Sequence, residues 1–241
     1  VHVDGVPGEL DAEARRAYQR LAELVGPPPI SVSTKTESDA LHPANAARLL
    51  ELVGDATRSR DLDRVAPLRF SADVAPAMAA RLAERPIDVD ALRATAEALA
   101  ADTDALVVDA GSGLLDPLTD DADMATLIES LALPALLVGP SRAGASLVSS
   151  LRLHLEALHH RSIPCAGVVL NRLDKRHRSE EAATPFLLDT VAGDVVLGVM
   201  PRLDDLRRDD ADHLAQRFNV HVDVDRIQAV MTETAATASR A

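Results

Sequence analysis

The sequence predicts an α/β fold: a parallel β-sheet covered by helices on both faces. Three observations carry this. The strand candidates are apolar throughout rather than alternating: Ala105–Val108, Pro134–Val138, Cys165–Leu170 and Val195–Val199. Strands buried on both faces read this way. Segments with helical spacing lie between them, which is the pattern of β-α-β units. The chain is also long enough for a sizeable core, with 241 residues and 47% hydrophobic content. A domain averages about 150 residues and α/β domains often run longer, so one domain over residues 1–241 is expected. No stretch has the composition of a linker.

The elements follow in order. Val1–Asp4 is a weak first strand. Glu9–Leu24 places Leu10, Ala14, Ala17, Leu21 and Leu24 along one helical side, and Gly26-Pro27-Pro28-Pro29 stops it. Ile30–Thr34 is β-prone. Asn45–Val53 is helical and ends at Gly54, and the charged stretch Asp55–Ala66 reads as a surface connection. Ala72–Ala83 and Asp88–Ala101 are helical, with Asp88 a candidate N-cap for the second. After the Ala105–Val108 strand come Asp109 and the loop Gly111-Ser112-Gly113. Asp123–Leu131 is helical, and Pro134–Val138 is a strand ending at Gly139. A long helix spans Ala145–His160. Cys165–Leu170 is a strand ending at Asn171, and Ser179–Val191 is helical. Val195–Val199 is the last strand, and Asp209–Val230 carries two short helical patterns.

Composition excludes several classes. The net charge is −13, which would repel a phosphate backbone, so no nucleic-acid partner is expected. Aromatic residues are 2% of the chain and Trp is absent, which leaves no platform for stacking bases. The single cysteine, Cys165, excludes an intrachain disulfide and a Cys-rich zinc site, and reads as a core residue. The apolar stretch near Leu131–Gly139 is too short to span a bilayer. Val1–Gly5 lacks the pattern of a signal peptide. A cytoplasmic protein without a membrane partner is the expectation.

In such sheets ligands sit at the carboxyl ends of the strands, so the residues there are the candidates. The chain has only two lysines, Lys35 and Lys175. An Arg-rich chain that keeps a lysine just past a strand end points to a use for a compact ammonium charge. Asp39 and Asp109 are carboxylates near strand ends, able to hold Mg²⁺ with water completing the shell. For Asp39 a helix-capping role stands beside this one. The glycines of Asp109-Ala110-Gly111-Ser112-Gly113 permit close backbone approach to a ligand, although an ordinary turn reads the same way. His154, His159 and His160 read as surface residues, and Leu203–Asp210 as a solvated, self-neutralising charge run.

Taken together, several segments resemble the dethiobiotin synthetase family. Leu106-Val107-Val108-Asp109-Ala110-Gly111-Ser112-Gly113-Leu114-Leu115-Asp116-Pro117-Leu118 is similar to that family's strand and V-E-G-A-G-G-L-x-x-P-L loop. Arg69-Phe70, Val74-Ala75-Pro76 and Arg85-Pro86-Ile87-Asp88 precede it in the family's order. Leu136-Leu137-Val138-Gly139, Gly144, the long helix and Ala166–Asn171 follow. Leu197–Leu203 is similar to the family's G-x-x-P-x-L ending. The likeness runs from about Lys35 to Leu203.

The resemblance implies a P-loop-type sheet, a homodimer, and ATP with Mg²⁺ as cofactors. The implied reaction joins CO₂ to 7,8-diaminononanoate, activates the carbamate with the γ-phosphate, and closes a ureido ring with the second amine. On this likeness Lys35 matches the family's strand-end lysine beside carbamate and phosphate, and Thr36 stands where proline is usual. Asp39 and Asp109 match the magnesium-binding acids, Asp109 in place of glutamate. Asn171 matches the residue that reads adenine, and Pro201 lies in the nucleotide-side ending. Gly144, Ala145 and Ser146 fall near the helix start that meets the substrate carboxylate, and Gly111 lies in the substrate-side loop.

The chain departs from the family at its opening. None of the eleven glycines is followed by lysine, so the phosphate loop G-x-x-x-x-G-K-[ST] is missing from this sequence. Its slot holds Gly5-Val6-Pro7-Gly8-Glu9-Leu10-Asp11, with Gly5 and Gly8 as the remaining candidates for phosphate contact. Pro7 removes an amide donor, and Glu9, Asp11 and Glu13 add negative charge. A repulsion of ~4 kcal/mol corresponds to about a thousandfold in affinity. The family's Ser-Pro-His is Ala75-Pro76-Ala77 here, and Leu147-Val148 stand near the place of its Asn-His pair. The expectation is a synthetase-like protein with impaired nucleotide binding; the alternative is a non-catalytic relative serving as a binding or partner module. A cobyrinate-type amidoligase stands lower, since neither a glutaminase-like domain nor a suitable Cys nucleophile is present.

Overall fold

The computed structural model describes residues 30–32, 65–70, 74–101, 106–110, 113–140, 145–173, 190, 194–201, 203 and 211–238. The described residues up to Leu131 form one compact unit and those from Ala132 onward another. The expected elements Val1–Asp4, Glu9–Leu24 and Asn45–Val53 lie outside the described residues, as does all of Ser179–Val191 except Thr190.

In the first unit, β1 (Ile30–Val32) and β2 (Leu68–Phe70) pair in parallel, Val32 opposite Phe70. Helix α1 (Pro76–Leu82) starts later than its apolar pattern suggests, because Pro76 occupies the first turn, where a missing N–H costs nothing. It ends in a Schellman motif: Arg85 N–H donates to Ala80 O at 3.0 Å and Glu84 N–H to Arg81 O at 3.2 Å. Helix α2 (Val89–Ala101) is capped by Asp88, whose Oδ1 accepts from Ala91 N at 2.9 Å. Helix α3 (Met124–Ser130) opens with a capping box. Asp123 Oδ1 accepts from Thr126 N at 2.8 Å, and Thr126 Oγ1 accepts from Asp123 N at 3.3 Å.

These elements enclose a core of Phe70, Ala79, Ile87, Leu92, Leu118, Met124 and Leu127, with Leu68, Ala110 and Leu131 packed around it. Each large side chain removed from water stabilises the unit by roughly 1.5–3 kcal/mol. Ala66, expected at the end of a surface connection, is fully buried. Of the expected strand Ala105–Val108, Val107 holds a bridge position among the described residues.

In the second unit, β3 (Ala135–Pro140), β4 (Cys165–Leu173) and β5 (Val196–Pro201) form a parallel sheet in that order. Helix α4 (Ala145–His160) joins β3 to β4 and packs on β3. Leu147 and Leu151, one turn apart, bury against Val168 and Leu170. Gly139 lets the helix come close: a Cβ there would stand 3.2 Å from Leu147 Cδ1. The helix closes in a second Schellman motif, with Ile163 N–H donating to Leu158 O at 2.9 Å and Ser162 N–H to His159 O at 3.0 Å. Ile163 and Leu158 are both buried, as the hydrophobic contact of that motif requires.

Two further helices follow β5, α5 (Ala211–His221) and α6 (Val224–Ala238). Between them Asp223 ties the turn to the sheet: its N–H donates to Leu197 O at 2.8 Å, and its Oδ1 caps α6 through Arg226 N at 3.0 Å. The last helix runs beyond the expected limit at Val230, through an Ala- and Thr-rich stretch.

Candidate functional site

The carboxyl edge of the second unit's sheet brings two of the candidates together. Asn171 was expected at the end of its strand but lies within β4, opposite Pro140. The strand runs on because Leu173 pairs with Pro201 across an irregularity between Leu170 and Leu173. Pro140, Asn171 and Pro201 thus mark one sheet edge, and Asn171 and Pro201 are half-buried there. A primary amide at such an edge offers an acceptor and two donors, the set needed to read the edge of a base. Helix α4 begins at Ala145, five residues after Pro140, with Ser146 in its first turn. Sixteen residues of aligned peptide dipoles make that start favourable to an anion. Gly144 lies outside the described residues.

The first unit holds Asp109. Its neighbour Ala110 packs against the Phe70 core, and Asp109 is itself half-buried. The segment beyond is held on three sides. Asp116 Oδ2 accepts from Gly113 N at 2.7 Å. Ala77 N donates to Pro117 O at 2.9 Å, tying the loop to α1. Met124 N donates to Asp116 O at 3.0 Å and Ala125 N to Leu114 O at 2.8 Å, tying it to α3. Leu114 and Leu118 are buried beneath it. Lys35 follows the last residue of β1 by three positions in sequence; it lies outside the described residues, as do Thr36, Asp39, Gly5, Gly8 and Gly111.

Among the described residues no group of three or more His, Cys, Asp or Glu is arranged to hold a metal. Magnesium is commonly held by only one or two carboxylates, with water and phosphate oxygens as the remaining ligands. A half-buried carboxylate on a packed strand-end segment has the right donor chemistry for that mode. His159 and His160 are exposed, and His154 is half-buried with Nδ1 2.6 Å from Ser150 O. Cys165 is half-buried rather than fully enclosed, and burial pushes its thiol pKa up. Among the described residues no helix is long and apolar enough to cross a membrane.

A family model described as an AAA domain matches residues 41–210, a span that crosses both units. The chain is 34% identical over 191 residues to the ATP-dependent dethiobiotin synthetase BioD of Phenylobacterium zucineum, covering 78% of this chain and 79% of that protein. It is 42% identical over 130 residues to the protein of the same name from Anaeromyxobacter dehalogenans, covering 54% and 56%. The Bacillus subtilis protein of that name is 22% identical over 175 residues. The chain belongs to the dethiobiotin synthetase family.

The fold accords with that membership: parallel strands and covering helices of the P-loop NTPase type. Asp116 lies within the Leu106–Leu118 segment. Its signal, an acid three residues after a glycine, is common in ordinary turns.

Proposed function

We propose that this chain is a synthetase-like protein of biotin biosynthesis, working on ATP, Mg²⁺ and 7,8-diaminononanoate, with a weakened hold on the nucleotide. The observation that carries the reading is the family membership together with Asn171 and Pro201 at one sheet edge. Asn171 would read the adenine and Pro201 would border it. Asp109, with Asp39, would hold Mg²⁺, which neutralises phosphate charge during transfer. Lys35, beside Thr36, would stabilise the negative charge that develops on carbamate and phosphate oxygens. Gly144, Ala145 and Ser146 would offer main-chain amides to the substrate carboxylate, and Gly111 would let the substrate approach the backbone. Gly5 and Gly8 would be left as the contacts to the phosphate tail. We further propose a homodimer in the cytoplasm, with small-molecule substrates and neither nucleic acid nor membrane as a partner.

Isothermal titration with Mg-ATP, followed by a product assay with diaminononanoate and bicarbonate, tests this reading. We expect nucleotide affinity about a thousandfold below that of a chain with an intact phosphate loop, and slow turnover that Lys35→Ala abolishes. The acidic opening at Glu9, Asp11 and Glu13 favours a second reading, a non-catalytic partner module. A folded chain that gives neither heat nor product would establish that second reading in place of the first.

A further inference from the structure

We propose that the turn between α5 and α6 guards the sheet: it occupies the free main-chain edge of β5 and keeps that strand from pairing with a second copy of the chain. Among the described residues β5 has one strand neighbour, β4. An edge of this kind offers unmatched N–H and C=O groups to another extended chain. The residues of β5 sharpen the hazard. Val195-Val196-Leu197-Gly198-Val199-Met200 carries no charge, and short uncharged segments of strand-forming residues pair readily with copies of themselves. A second copy brings that same segment, so it is the occupant that fits the edge.

The turn meets this edge with main-chain atoms. Val222 bridges to Gly198 in the antiparallel sense, and Asp223 N–H donates to Leu197 O at 2.8 Å. Gly198 permits the approach, since a Cβ there would collide with the His221 carbonyl. Burial anchors the turn from the α5 side, where Ala215, Phe218 and Val222 are all buried. Val222 N–H donates back to Phe218 O at 2.8 Å, and Asp223 Oδ1 accepts from Arg226 N at 3.0 Å at the start of α6. The chain is therefore helical on both sides of the contact. It covers the edge and presents no strand of its own on which another could be added. Proline at position 223 would remove the N–H that reaches Leu197, whereas alanine would keep it.

Sedimentation velocity of the full chain separates these cases. Asp223→Pro should associate beyond the state of the unmodified chain, the larger species appearing at about tenfold lower concentration. Asp223→Ala loses the α6 cap but keeps the N–H, and should sediment as the unmodified chain does. A peptide with the sequence of residues 194–201 should compete for the edge and reverse the association, while the same peptide with Gly198→Pro should not. A folded Asp223→Pro chain that sediments unchanged would overturn the proposal. Equal association in Asp223→Ala would trace the effect to the lost cap and overturn it as well, and so would association that both peptides leave intact. If Asp223→Pro fails to fold, Gly198→Ala decides, because its Cβ lifts the turn from the strand side. Faster exchange of the Asp223 amide there, with sedimentation unchanged, refutes the guard.

Discussion

Gly198 shows how much can hang on a single missing side chain. It faces the turn between α5 and α6 through a bridge to Val222. A Cβ at this position would collide with the His221 carbonyl and lie 2.8 Å from Val222 Cα. Those are main-chain atoms, which cannot swing aside as a flexible side chain can. Gly198→Ala should therefore destabilise the protein by about 1–3 kcal/mol, read as a lower urea midpoint. Cys165 gives a second test at this scale. Its thiol pKa is raised by burial, so the folded state favours the neutral form. The associated stability is fully present below the ordinary thiol pKa and is lost as pH rises through the raised value. Iodoacetamide at mildly alkaline pH should label Cys165 more slowly in the folded chain than in urea. Equal rates would contradict the burial effect.

Helices and strands show what local rules can and cannot reach. The span Ala145–His160 and the cap at Asp88 were legible, because periodicity and capping chemistry act within a few residues. The ends of α1, α3 and α4 fall within one residue of the expected Ala83, Leu131 and His160, although no glycine marks them. α1, α3 and α4 are each followed by a non-glycine residue at positive φ: Glu84 at 51°, Ala132 at 51° and Ser162 at 56°. Hydrogen bonding by the next turn offsets the steric cost of that conformation. The irregular registers in β4 were hidden, because they depend on which strand lies alongside. Gly167 adopts φ 148°, and a Cβ there would stand 2.5 Å from Leu197 Cδ1 on the neighbouring strand, a close approach that no local pattern announces. Of the candidate positions, Asn171 falls within β4 and Pro201 at the end of β5, and Asp109 follows the bridge at Val107 by two residues. The tie from Asp116 to Gly113 could not be read from the sequence, because short acid–glycine spacings are too frequent to single one out. The capping box offers a direct check. Asp123→Ala should cost about 0.5–2 kcal/mol in thermal or urea unfolding, since it frees the Thr126 amide at the start of α3.

Across the whole molecule, charge dominates what can be expected of ligand binding. The chain carries −13 overall, with Glu9, Asp11 and Glu13 in its opening segment. Mg-ATP should meet repulsion, and salt should screen it. Raising ionic strength from about 0.02 M to about 0.2 M shortens the screening length severalfold. We expect the affinity of the unmodified chain for Mg-ATP to rise over that range, and to fall with salt once Gly5–Glu13 is replaced by a G-x-x-x-x-G-K-T loop. Titration calorimetry at several salt concentrations reads both slopes, and a falling slope in the unmodified chain would contradict the repulsion. The sheet edge carries a different consequence. Asn171 sits where pairing with β3 puts it, and Pro201 where pairing with β4 puts it. Val168 and Val169 of β4 are almost fully buried, so a larger side chain there must displace its neighbours before it disturbs the edge.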